Sequence, residues 1–203
     1  MNNTIDYYNQ NARSFVSGTL HADMSQCRSR FLQYVKPGGA ILDAGCGSGR
    51  DSLVFMQEGY AVSAFDASEE VCRIAGELLG MPVACMRFED LTGEEEYDGI
   101  WACASLLHVR GEDMEDVMRR LVRLIKPAGV LYASWKKSAG DNALEREKDG
   151  RFFRDMTLAD CRDLFEKAGL EVLELFETKD VRPGRESEGW VNIIGKKGQA
   201  VTI

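Results

Sequence analysis

Ile41-Leu42-Asp43-Ala44-Gly45-Cys46-Gly47-Ser48-Gly49 is the stretch on which the fold turns. Ile41 and Leu42 read as the end of a buried strand, and Asp43 puts a carboxylate at that strand's carboxyl end. Gly45, Gly47 and Gly49 follow, and glycine is needed where the backbone turns with positive φ or must touch a ligand without a Cβ in the way. Leu53, Val54 and Met56 then begin a helical pattern. Strand, glycine turn and helix in that order make a small-ligand site at the carboxyl edge of an open α/β sheet. A glycine run is also what a plain tight turn uses, so the rest of the chain decides between the two.

The dinucleotide fingerprint, Gly-x-Gly-x-x-Gly/Ala, seats a pyrophosphate on a helix N-terminus. Here the third glycine comes one residue early, and Arg50 stands where that pattern has Gly or Ala. With Asp43 inside the strand end, the stretch instead resembles motif I of the class I S-adenosylmethionine-dependent methyltransferases. The resemblance implies that Asp43, Gly45, Cys46, Gly47 and Gly49 lie against the amino-acid and ribose part of that cofactor, with the acid helping to hold its ammonium group.

Working outward, residues 4–35 carry two amphipathic helical patterns. Ile5, Tyr8, Ala12, Phe15 and Val16 share one face, and Met24, Cys27, Phe31 and Val35 share another. These helices are expected to form a lid (1–36) on the same domain as the core (40–197), giving one domain over 1–203. Strands are expected at Ala40–Ala44, Tyr60–Phe65, Pro82–Met86, Tyr97–Cys103 and Val130–Trp135. The helices between them are closed by Gly59, Gly80 and the Lys126-Pro127-Ala128-Gly129 turn. Ser68 reads as an N-cap, and Thr157 with Asp160 as a capping box. Leu170–Thr178 is ambiguous, with glutamates at every third position but Val172, Phe176 and Thr178 favouring a strand; it is taken as a strand. Trp190–Gly195 pairs with it as a hairpin across the loop 179–189. The polar segment 136–155 is long for a connection and reads as a functional loop or flap.

Strand and helix alternate through five strands, which implies a parallel sheet with right-handed crossovers. The expected fold is α/β: a Rossmann-like, seven-stranded, mostly parallel sheet with helices on both faces, a C-terminal antiparallel hairpin and two N-terminal helices. That order resembles the methyltransferase fold from about Tyr7 to Lys197, in which the last strand inserts beside the fifth. Locally, residues 47–53 and 59–68 are similar to the tellurite-resistance methyltransferase group and its small-molecule relatives.

The chain has 203 residues and a formal net charge of -8, which opposes non-specific nucleic-acid binding. No apolar run approaches the roughly 20 residues of a membrane span, and Met1 to Asp6 has neither a basic nor an apolar signal region. The six cysteines form no Cys-x-x-Cys pair and there are only two histidines, so no zinc-ligand spacing is present and no metal is expected. The cysteines fall on apolar positions and read as core residues in a reducing, cytoplasmic setting.

Asp66 ends the second strand about twenty residues past the glycines, where an acid accepts from both ribose hydroxyls or, alternatively, caps the following helix. By the resemblance, Ala67 flanks that contact, Phe88 and Glu89 line the adenine pocket with Asp90 as the alternative acid, and the carbonyl of Ala102 or Cys103 accepts from the cofactor ammonium. Leu107 and His108 lie by the transferred methyl. His108 is either a proton acceptor for the substrate or a side chain that shapes the pocket and satisfies a backbone group. Tyr8 covers the cofactor or simply packs. Lys136, Arg151 and Arg182, with Arg154 and Arg185, are candidates to bind an anionic acceptor, or are solvated loop charges. The implied activity is in-line methyl transfer from S-adenosylmethionine to a small acceptor, anionic on the reading of those arginines, in a monomer or homodimer without nucleic-acid or membrane partners. The alternatives are a methyltransferase acting on a protein or nucleic acid, and a cofactor-binding sensor without catalysis.

Overall fold

The structure is a computed structural model and describes residues 3–199; residues 1–2 and 200–203, the two ends of the expected 1–203 domain and the first residues of the stretch read for a signal, lie outside it. The elements run α1 (Asn3–Thr19), α2 (Ser25–Leu32), β1 (Ala40–Ala44), α3 (Arg50–Gln57), β2 (Ala61–Asp66), α4 (Glu69–Leu79), β3 (Ala84–Cys85), β4 (Tyr97–Ala102), α5 (Gly111–Leu124), β5 (Ile125–Lys136), β6 (Leu144–Lys148), β7 (Arg151–Asp155), α6 (Leu158–Lys167), β8 (Leu170–Lys179) and β9 (Gly189–Lys197). Seven strands form one sheet in the order β3-β2-β1-β4-β5-β9-β8. The pairs from β3 to β5 are parallel, and β9 enters antiparallel between β5 and β8. The expected mostly parallel sheet with a closing hairpin is therefore present, and β8 is a strand despite its periodic glutamates.

Side chains alternate between the two faces of a strand, and here they enter two separate cores. Leu42, Ala44, Ile100, Ala102, Leu131 and Ala133 pack with α5 and α6. Ile41, Trp101, Val130 and Tyr132 pack with Phe31 of α2 and Phe55 of α3. On that second face Trp101 and Tyr132, register partners on β4 and β5, stack with centroids 3.8 Å apart. Phe31 and Phe55 close against Trp101 at 5.2 and 5.6 Å. Helices thus cover both faces, and the carboxyl ends of β1, β2 and β4 are left to face one edge. No described helix is long and apolar enough to cross a membrane.

Two expectations need correction. The segment 136–155 is not a loop: β6 and β7 form a two-stranded antiparallel sheet of their own. Its turn is Asp149-Gly150, with φ of 51° and 74°. Positive φ at both central residues is the geometry that matches strand twist in a two-residue hairpin, and Asp-Gly is a favoured pair for it. Phe152 and Phe153 are buried and hold this hairpin against the body. At the other boundary, residues 126–129 do not form a free turn after a helix. α5 stops at Leu124, and β5 begins at Ile125 and passes through Pro127 with an irregularity opposite Tyr97 and Gly99. The third strand is also shorter than the expected Pro82–Met86, at two residues.

Candidate functional site

The glycine turn leaves β1 with Gly45, Gly47 and Gly49 all at positive φ. A Cβ on Gly45 would stand 2.5 Å from Cβ of Ser105, so that residue is fixed by space as well as by backbone. The amides of Gly45 and Cys46 both donate to Phe65 O, which ties the turn to the end of β2. At that end Asp66 accepts from Gly47 N–H through Oδ2 and from Ser68 N–H through Oδ1, both at 3.0 Å. Its carboxylate is thereby aimed, and each oxygen keeps a further lone pair. Burial holds the Asp66 carboxyl above its ordinary range despite these amides. Ser68 caps α4 as expected, accepting from Val71 N–H, and its hydroxyl donates to Asn9 of α1 at 2.7 Å.

Asp43, 2% exposed, accepts from Ser52 Oγ through Oδ2 at 2.7 Å. Burial, with the nearby Asp51 carboxylate, raises its carboxyl to about 7. Beneath it lies an ion cluster that sequence reasoning missed. Asp51 accepts from Arg28 and Arg50, each at 2.6 Å, and from Trp101 Nε1 at 3.0 Å. Those cations outweigh burial and hold the Asp51 carboxyl low. Arg50, out of place in a dinucleotide fingerprint, is here the lid of a buried carboxylate.

Gly45, Gly47, Asp43, Asp66, Arg50 and Asp51 line one cavity of about 790 Å³ at the carboxyl edge of the sheet, a size ordinary for a small-molecule site. Tyr8, Asp43, Gly45, Cys46, Gly47, Asp66, Ala67, Phe88, Glu89, Cys103, Leu107, His108, Lys136, Arg151 and Arg182 all face it. Gly49 and Ala102 do not. Gly49 caps α3 and packs on Leu79 and Ala75, and Ala102 is fully buried in the sheet. Of Ala102 and Cys103, only Cys103 lines the cavity. It precedes Ala104, a non-glycine residue at φ 52° whose amide is held by Ser134 Oγ. Between Glu89 and Asp90, only Glu89 lines the cavity, because Asp90 turns back to accept from Arg87 N–H.

The cavity's roof is α1 and the β6–β7 hairpin. Thr4 Oγ1 accepts from Phe152 N–H at 2.9 Å, which joins the two. His108, in a 3-10 turn after β4, stands below them with Nε2 2.9 Å from Tyr8 Oη and Nδ1 2.6 Å from Phe152 O. Burial, with the Arg151 cation adding to it, depresses the imidazole to about 4. As a base His108 is therefore poor: it is neutral near pH 7 and both its nitrogens are engaged. The alternative reading, a histidine that satisfies a backbone group and shapes the pocket, matches this geometry.

At the far end the basic candidates are partly paired. Arg182 donates twice to Asp180, at 2.8 and 2.5 Å, so its guanidinium is committed. Lys136 pairs with Glu188 and lies over the Trp190 ring. Burial first, then the cations of Arg185, Arg182 and Arg146, lower its ammonium to about 8. Arg154 pairs with Glu145 and is outside the cavity wall, whereas Arg146 and Arg185 line it. The partners of Lys136, Glu188 and Trp190, lie 52 and 54 residues beyond it, and no local signal in the sequence reveals them, whereas Asp180 is only two residues from Arg182.

Compared with known proteins, residues 41–129 match the family described as methyltransferase domain. The chain is 29% identical over 138 residues to malonyl-[acyl-carrier protein] O-methyltransferase of Erwinia pyrifoliae, covering 61% of this chain and 47% of that one. It is 26% identical over 183 residues to ribosomal protein L11 methyltransferase of Aquifex aeolicus, covering 88% and 61%. Against these two the chain spans about half to three fifths of the relative's length. Among solved structures, the Burkholderia thailandensis 1,6-didemethyltoxoflavin-N1-methyltransferase, with its substrate and S-adenosylhomocysteine bound, superposes with a TM-score of 0.79 at 18% identity, covering 96% of this chain and 85% of that one. That likeness is one of fold.

Proposed function

We propose that this chain, whose residues 41–129 match the family described as methyltransferase domain, is a class I S-adenosylmethionine-dependent methyltransferase that methylates a small acceptor enclosed in the cavity at the sheet's carboxyl edge. The observation that carries the reading is the pairing of two acids, the buried Asp43 and the half-buried Asp66, across a glycine turn on the wall of a single roofed cavity. The residues present fit the cofactor. Asp66 has lone pairs free for ribose hydroxyls, and the Asp43 carboxylate suits an ammonium group. At Gly47 the Phe15 ring of α1 comes down on the turn, 3.3 Å from where a Cβ would stand.

On this reading Asp43 and the Cys103 carbonyl hold the ammonium, Asp66 the ribose, and Phe88 and Glu89 the adenine. Bound there, S-adenosylmethionine would supply a methyl group activated by a positively charged sulfur, the leaving group being a neutral thioether. The protein's task is then to orient the acceptor and exclude water. α1 and the β6–β7 hairpin do this by roofing the cavity, which supports a small acceptor over a macromolecule. Arg151, Arg185 and Lys136 at the distal end support an anionic one.

Calorimetry with S-adenosylmethionine and with NAD tests the cofactor, and preferred binding of NAD rejects the reading. Turnover of labelled methyl into a panel of small carboxylates tests the acceptor. Because Arg182 is already spanned by Asp180, Arg151→Met is expected to lower turnover more than Arg182→Ala. Equal turnover in native protein and Arg151→Met removes the anionic acceptor.

A further inference from the structure

Tyr8 and His108 form a pair whose hydrogen-bond direction is chemically fixed. Phe152 O can only accept, so the imidazole proton is on Nδ1. The ring is neutral, so Nε2 carries a lone pair, and the Tyr8 hydroxyl at 2.9 Å donates to it. A phenol has one proton, so what Tyr8 Oη offers to the cavity is lone pairs alone. Beside it, the Arg151 guanidinium is wedged among aromatic rings, 4.1 Å from Tyr7, 5.1 Å from Phe153 and 5.9 Å from Tyr8. Its Nε is buried without a partner among the described residues, and its one ion pair, to Asp149, is long at 3.4 Å. The guanidinium edge also reaches the Tyr8 hydroxyl, and a guanidinium stacked by its faces keeps its remaining Nη donors for a carboxylate.

Resting on the proposed methyltransferase reading, the geometry points to an acceptor subsite for a small carboxylate bearing a hydroxyl or amine: Tyr8 Oη accepts from that O–H or N–H, Arg151 takes the carboxylate, and His108 is the positioning residue that turns the phenol's own proton away. His108 holds this polarity and removes no proton, since Arg151 and burial keep it neutral. The charged groups around the pair are Arg151 on β7 and Asp66 at the end of β2.

Two measurements test this. In the presence of S-adenosylhomocysteine, calorimetry compares 4-hydroxybenzoate with benzoate and 4-methoxybenzoate. The hydroxyl compound is expected to bind about tenfold more tightly than either in native protein, a factor ordinary for one well-placed hydrogen bond. In Tyr8→Phe the three are expected to converge within twofold, while Arg151→Met weakens all three. Equal affinities in native protein, or a preference that persists in Tyr8→Phe, overturns the proposal. If S-adenosylhomocysteine binds and none of the probes does, the subsite is refuted and the cofactor reading stands; if S-adenosylhomocysteine fails to bind, both fall. The second readout is the nitrogen-15 spectrum of the imidazoles, assigned through His21→Asn because the chain has only two histidines. His108 is expected as the neutral Nδ1–H tautomer at pH 7, with the Nε2 resonance alone moving in Tyr8→Phe. An Nε2–H tautomer overturns the assignment.

Discussion

On the proposed reading, in which the cofactor ammonium faces Asp43, cofactor binding is expected to release a proton. In the free protein its carboxyl lies at about 7 because it is buried beside Asp51. An ammonium group placed against it favours the ionised form, which would return it toward the ordinary aspartate range near 4. At pH 6.5 a group with pKa about 7 is about three quarters protonated, so binding of S-adenosylhomocysteine is expected to release about three quarters of a proton. The sign follows from the shift: below pH 7 the proton must leave before the ammonium is paired, so affinity weakens as pH falls. Between pH 7.5 and 5.5 the loss is about twentyfold. Titration calorimetry in two buffers of different ionisation enthalpy measures the proton count directly. In Asp43→Asn, which keeps an acceptor for Ser52, both the proton release and the pH dependence are expected to vanish while residual binding persists. Native binding without proton release at pH 6.5, or the same release in Asp43→Asn, refutes the reasoning.

Other outcomes follow from the same geometry. His108 is depressed to about 4 in the folded state against an ordinary 6.5, so the unfolded chain binds the extra proton; the stability difference between native protein and His108→Gln, read by urea unfolding, is expected to fall by up to about 3 kcal/mol as pH drops from 6.5 to 4. Gly45→Ala places a Cβ 2.5 Å from Ser105 at φ 76° and is expected to cost about 3 kcal/mol in the same assay, from left-handed strain and overpacking together. Asp51→Asn leaves Arg28 and Arg50 short of their shared carboxylate and is expected to destabilise by about 3–5 kcal/mol; a loss under 1 kcal/mol would show that the cluster is solvated.

What the sequence disclosed followed from periodicity. Strands of the buried sheet alternate with helices whose apolar faces are regular, and Gly45, Gly47 and Asp66 stand at fixed distances from strand ends, so the fold and the gathering of these residues on one cavity were legible. The β6–β7 hairpin was missed because β6 is polar and exposed and β7 buries two adjacent aromatics, Phe152 and Phe153, in place of an alternation, although Asp149-Gly150 was a turn signal in plain view. The acceptor side was harder for a different reason. Arg182 is engaged by Asp180, two residues away, a pairing the sequence left in view; Arg151 meets aromatic rings from α1, and contact of that kind is set by tertiary packing. His108 illustrates the same limit: its position near the cleft was readable, but its engagement by Phe152 O, 44 residues away, was not.

The central claim is that a nucleoside-bearing cofactor sits over the glycine turn with its ribose on Asp66. A crystal structure with S-adenosylhomocysteine tests it most directly. The account predicts both ribose hydroxyls on the Asp66 carboxylate, the ammonium facing Asp43 and the Cys103 carbonyl, and the adenine beside Phe88. Ligand bound elsewhere, or bound in this cavity with its ribose away from Asp66, would contradict it.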